Sequence, residues 1–205
     1  ARAIELNRTM IRRFHDEAGG GFFIGADNGE KLLVRAKELY DGAIPSGNSV
    51  AFVNLTRLAR VTGEAELEEL AAGTARAYGR ALSSGSSAHA FFLTGLDFAL
   101  GPSVELVVSG RLGSDDTKAM LAKAREIYAP RKVQLFRDEA VAAELAELAP
   151  FVANQTMRDD RATAYVCVER ACSFPTNDPE KMTELVLTRL NPPAGPRGKD
   201  TGALR

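Results

Sequence analysis

Tryptophan is absent from this sequence, cysteine and histidine occur only twice each, and the formal net charge is −1. Each scarcity closes off a class of function. Two cysteines do not make a disulfide framework, and that usage agrees with a reducing compartment, so a cytoplasmic protein is expected. His15 and His89 stand far apart with no CxxC or HxxxH spacing, so no metal site is expected. A balanced charge without an isolated Lys/Arg cluster lacks the electrostatic footprint of a nucleic-acid binder. No apolar run approaches the ~20 residues of a membrane span, and the first residues lack the pattern of a signal peptide. There is no GxSxG elbow for a serine hydrolase. Neither GxGxxG nor GK[ST] occurs; Gly110 to Ser114 sits where a phosphate loop would, but Asp115 and Asp116 would repel a phosphate, and Ser114 is better read as a helix cap. No cofactor is expected.

What is present suffices for one large or two small cores: 205 residues, 45% hydrophobic and 26% charged. Residues 2–17 carry Ile4, Leu6, Met10, Ile11 and Phe14 on one face, the pattern of an amphipathic helix. The stretch 21–36 reads as a short hairpin around Asp27-Asn28-Gly29, where Asp27 is a turn residue. Then comes a constrained corner, Asp41 to Ser49 (DGAIPSGNS). Pro45 restricts Ile44, Gly42 and Gly47 permit backbone angles closed to other residues, and Ser46 or Asn48 can cap the next helix. On that reading Pro45→Ala and Gly47→Ala each cost on the order of 1 kcal/mol, more than Ser46→Ala. Helices are predicted over 47–62, 64–82 and 88–100. The first has apolar residues on more than one face, which implies neighbours on two sides.

Beyond Gly101-Pro102 the period changes. Apolar runs at 104–108, 133–136 and 163–168, separated by helical spacing (Met120, Ala124, Ile127, Tyr128; then Val141, Leu145, Leu148), predict a βαβαβα arrangement with a three-stranded parallel sheet. The expected organisation is a helical hairpin region over 1–101, an α/β region over 102–190, and a disordered tail over 191–205, rich in Pro, Gly and charge.

The segments GGGFFIGADNGEKLLVRAKELY, DGAIPSGNSVAFVNLTRLARVTGE, AHAFFLTGLDFALGPSVELVVSG and ATAYVCVERACSFPTNDPE occur in this order. Together they resemble the closing part of the large thioredoxin-fused proteins of the spermatogenesis-associated type. The resemblance covers residues 1 to about 190 and implies an (α/α)6 barrel similar to N-acylglucosamine epimerases and six-hairpin glycosidases, preceded by a thioredoxin-like domain and followed by a small α/β region. It further implies action on carbohydrate or a related polyol, with helical hairpins here forming the last part of the barrel. This sequence holds no thioredoxin-like domain. A twelve-helix ring cannot close with about four long helices, so the expected partner is the remaining N-terminal part of the same polypeptide or a second copy.

In such a barrel the substrate lies among the loops at its mouth. Asp41 is then the candidate catalytic carboxylate, with Ser46 and Asn48 as candidate hydroxyl-binding residues; all three also explain themselves as turn and cap residues. A glycosidase would need a second carboxylate, such as Asp27 or Asp97, and Asp97 can equally bridge elements. Cys167 and Cys172 flank the exit of the third strand. They are either a redox pair acting on partner proteins or on the thioredoxin-like domain, or two thiols packed together.

Overall fold

The computed structural model describes residues 1–30 and 33–191. Helix α1 (Arg2–Phe14) ends in a turn through Gly20 and Gly21, both at positive φ. Among the described residues no strand forms between Gly21 and Ala36, which corrects the expected hairpin. The N–H groups of Phe23 and Asp27 bond instead to the last carbonyls of α1, Phe14 O and Arg13 O, each at 2.8 Å, and Ile24 N–H reaches Ala36 O at 2.9 Å. A helix end leaves such carbonyls open, and here they take the donors that a hairpin partner would have used.

Helix α2 (Gly47–Thr62) starts at Ser46, whose hydroxyl accepts the Ser49 N–H, and stops at Gly63, held at φ 79° as a left-handed cap. Gly42 and Gly47 are not at positive φ, so the backbone freedom expected of them is not used. Helices α3 (Ala65–Ser84) and α4 (Ala90–Leu100) both pack on α2. The rings of Phe52 and Phe92 stack at 4.2 Å, and α4 approaches so closely that a Cβ on Gly95 would stand 2.8 Å from Phe52 Cδ1. Leu55, Leu67, Ala71 and Leu82 complete this core. The two apolar sides of α2 thus meet α3 and α4 in a helical layer, and the described residues do not close a ring.

Strands β1 (Val104–Gly110), β2 (Lys132–Asp138), β3 (Thr163–Val168) and β4 (Ala171–Cys172) form one sheet in the order β2-β1-β3-β4. Helix α5 (Asp115–Glu126) is the crossover that leaves β2 parallel to β1. Strand β3 is antiparallel to β1, so the sheet is mixed and four-stranded, and the expected three-stranded parallel sheet is corrected. The cause lies in the connection. Helix α6 (Ala142–Leu148) has seven residues, about 10 Å of rise, and packs beside β2. After it the chain is again beside the end of β1: the Ser109 hydroxyl donates to Gln155 O, and Ala162 N–H donates to the Asp116 carboxylate in the first turn of α5. Strand β3 therefore starts at the end where β1 stops.

One face of β1 sends Val104, Leu106 and Val108 into a core with Met120 of α5 and Met182 and Val186 of α7 (Pro179–Leu190). By alternation Glu105, Val107 and Ser109 point to the opposite face, where Val107 packs with Ala149, Val152, Tyr165, Cys167 and, from α2, Val61. The helical layer thus reaches the sheet on the face that also carries Glu105. Of the expected tail only Asn191 is described, and residues 192–205 lie outside the described residues. Among the described residues no helix is long and apolar enough to cross a membrane.

Candidate functional site

At the corner, Asp41 is held from two directions. One carboxylate oxygen accepts the Ser46 N–H at 2.9 Å, and the other accepts the N–H groups of Phe91 and Phe92 at 2.9 and 3.0 Å. Partial burial raises its pKa, but the Ser46 N–H, the Ser49 hydroxyl and the Phe92 and Phe91 N–H groups outweigh it, so the carboxyl titrates below its ordinary value. Asn48 is buried; its Oδ1 accepts the Phe22 N–H at 2.7 Å, and its Nδ2 donates to Phe22 O and Glu38 O. Ser46 is the α2 cap and also donates to the Ser49 hydroxyl. The candidate catalytic residue and the two candidate hydroxyl-binding residues are therefore neighbours, with their polar atoms engaged in tying the corner to α2, α4 and the 20s loop.

The remaining candidates are dispersed. Asp27 pairs with Arg13, and Asp97 lies 3.7 Å from Arg131 Nε, bridging α4 to the start of β2. Ser114 occupies the α5 cap position, but its hydroxyl bonds Arg111 O and Thr117 Oγ1. Among the described residues no three His, Cys, Asp or Glu side chains converge as metal ligands would.

The cysteines are joined. Cys167 and Cys172 lie directly opposite one another on β3 and β4 and form a disulfide, so they are packed together but as a cystine and not as two thiols. The intervening Glu169 and Arg170, at φ 49° and 64°, make the two-residue turn with both centres left-handed that brings antiparallel strands into this register. Cys167 is fully buried while Cys172 is exposed. The Gln155 amide nitrogen lies 3.7 Å from the first sulfur and 3.5 Å from the second, and its Oε1 has no hydrogen-bond partner.

Opposite Cys167 on the other side is Glu105 of β1. Directly paired residues share a face, so Glu105, Cys167 and Cys172 form one row across three strands. The Glu105 side chain is 1% exposed, with Oε1 3.6 Å from Arg60 Nε and without a hydrogen-bond partner. Its Oε2 accepts the Arg170 N–H at 3.4 Å. Burial pushes its pKa up, and the Arg170 N–H and the charges of Arg60 and Arg170 offset this only in part. Arg60 comes from α2 and Arg170 from the hairpin tip, whose guanidinium lies over Gly63, where a Cβ would come within 2.5 Å of Nη2. The site is thus built where the helical layer meets the sheet.

The sequence singles out the two cysteines but not Glu105, Arg60, Gln155 and Arg170, which the structure places around them. A signal existed for the first: Glu105 is the single charge in an otherwise apolar strand, VELVV, where a carboxyl faces protein on either side.

No protein-family model matches the chain. Among curated proteins it is 32% identical over 185 residues to human spermatogenesis-associated protein 20, covering 90% of this chain and 24% of that protein. The rat and mouse proteins of the same name are also 32% identical over 185 residues, with 23% of each covered. The chain thus spans about a quarter of the length of the curated relatives it matches. The paired cysteines, the buried carboxyl behind them and the corner at Asp41 all lie in a chain homologous to the C-terminal part of spermatogenesis-associated protein 20.

Proposed function

We propose that this region carries a dithiol–disulfide exchange centre at Cys167 and Cys172. The observation that supports it is the pairing of one exposed with one buried cysteine in a single bond at a hairpin tip. In the proposed reaction an external thiolate attacks the sulfur of Cys172, the exposed residue of the pair, and the buried Cys167 acts as leaving group and, in the reverse direction, as resolving thiol. Attack forms a bond between the incoming sulfur and Cys172 and places the electron pair of the broken bond on Cys167; a second thiolate then displaces Cys172. The sum is one cystine and two thiols converted to two cysteines and one external disulfide. The partner proposed for it is a dithiol of the kind that the resemblance to thioredoxin-fused proteins implies for the N-terminal part of a longer polypeptide. No observation at Asp41, Ser46 or Asn48 favours a carbohydrate subsite over their part in the corner. Equilibrating the native protein in glutathione buffers of graded potential, trapping with an alkylating reagent and weighing the products tests the proposal. Two thiols should be released together, through a species carrying glutathione on Cys172. A cystine that stays closed until the protein is unfolded would overturn it.

A further inference from the structure

The described residues hold one buried carboxyl whose surroundings give it too few partners, and it stands in the same row as the cystine. We propose that Glu105 stores the proton that Cys167 takes up on reduction and gives back on oxidation. This role rests on the exchange reading of the cystine and assigns to it a residue that donates and accepts protons.

The register sets the distance. Residues directly opposed in an antiparallel pair have Cβ atoms about 4.5–5.5 Å apart, and Glu105 and Cys167 are such a pair, which brings the carboxyl near enough for a proton to pass to the sulfur once the side chains adjust during exchange. The sulfur needs such a partner. Cys167 is fully buried, and a thiolate expelled into that setting has no solvent to stabilise it. When an external thiolate bonds to Cys172, the electron pair left on Cys167 takes the proton from the Glu105 carboxyl, yielding a neutral thiol and a carboxylate. In the reverse step the carboxylate removes the Cys167 proton as that sulfur attacks the mixed disulfide, and the external thiolate leaves. The charged groups facing Glu105 fit both states. Arg60 of α2 and Arg170 of the hairpin tip balance the carboxylate, yet neither completes a hydrogen bond to Oε1 that would fix it as one. Glu105 is paired with the apolar Val133 on the β2 side, and Gln155 presents a neutral amide to the sulfurs.

The test uses the full chain, reduced and then mixed with oxidised glutathione, with the Cys172–glutathione species followed by mass spectrometry across pH. Resolution by Cys167 should slow about 100-fold in Glu105→Gln, at the low end of what a positioned acid or base contributes, and the pH-dependent limb of the wild-type rate should vanish. Resolution at the wild-type rate with an unchanged pH profile would overturn the inference, whereas a wild-type protein that never forms the mixed disulfide would instead overturn the exchange reading. If Glu105→Gln fails to fold, redox-difference infrared spectroscopy of the wild type decides. A protonated-carboxyl band that changes on reduction supports the assignment, and a spectrum with no carboxyl change refutes it.

Discussion

Replacing Asp41 by alanine removes three backbone hydrogen bonds at once, those to Ser46, Phe91 and Phe92. The last two matter most, because His89 at the start of α4 makes no side-chain cap and Asp41 supplies one from 50 residues away. Losing a helix cap costs about 1 kcal/mol, within a range of about 0.5–2, and an orphaned, half-buried N–H at Ser46 adds about 1 kcal/mol or somewhat more. The expected total is about 2–3 kcal/mol. For a chain of this size each kcal/mol shifts Tm by about 2–4 °C, so Asp41→Ala should melt about 4–12 °C lower. Asp41→Asn should fall between, since an amide keeps one acceptor but turns an NH2 group toward donors. Acid adds a second readout. The folded-state pKa of Asp41 lies below its ordinary 3.8, so the stabilisation is fully present above that value and is lost as the pH falls through the lower, folded-state value. The gap between wild type and Asp41→Asn should therefore narrow in that acid window. Urea unfolding across pH measures both effects. A loss below about 0.5 kcal/mol, with a gap that ignores acid, would show that these contacts do not hold the corner and would free Asp41 for other work.

Glycines at two helical positions should respond in opposite ways to the same substitution. Gly95→Ala should destabilise, since overpacking against Phe52 Cδ1 and Val53 Cγ2 costs about 1–3 kcal/mol and the gain in helix propensity returns only about 1; Gly47→Ala, with open space around it, should be neutral or stabilising by up to about 1 kcal/mol, the reverse of the sequence-based expectation. The urea midpoint should fall in Gly95→Ala and stay or rise in Gly47→Ala, and a shared loss would refute the packing argument. Glu169→Asn should stabilise by about 0.5–1 kcal/mol in thermal melts, because Glu169 holds φ 49° and asparagine tolerates that region better; a loss would mean that the glutamate side chain itself holds the tip.

The elements legible in the sequence are those fixed by local chemistry. Ser46 and Gly63 bracket α2 where cap rules place them, and the apolar run through β1 gives its strand character. What escaped depends on residues far away. The direction of β3 is set by the short excursion through α6 and by the clasp of Asp116 on the Ala162 N–H, neither of which leaves a periodic trace. The β3–β4 turn was invisible because Glu169-Arg170 carries none of the Asn or Gly that normally mark left-handed centres. Without that turn, Cys167 and Cys172 read as a spacing and not as opposite members of one rung. Glu105 was absorbed into an apolar run, since strand patterning reports that a position is covered and is silent on what covers it.

The brevity of β4 has a consequence for the molecule in a crowded solution. A sheet edge presents a row of open N–H and C=O groups on which a strand of another chain can assemble. On this edge β4 itself has two residues, Ala171 and Cys172, and the chain after it stays against β3 through the Ser173 N–H to Val166 O and the bridge between Ala164 and Thr176. At the opposite edge the Lys132 carbonyl is already taken by Arg57 of α2 at 3.0 Å, and charged side chains stand at Lys132, Arg137 and Asp138. Among the described residues one border is thus short and the other carries charge, features that disfavour fibrillar growth by strand addition to the folded sheet.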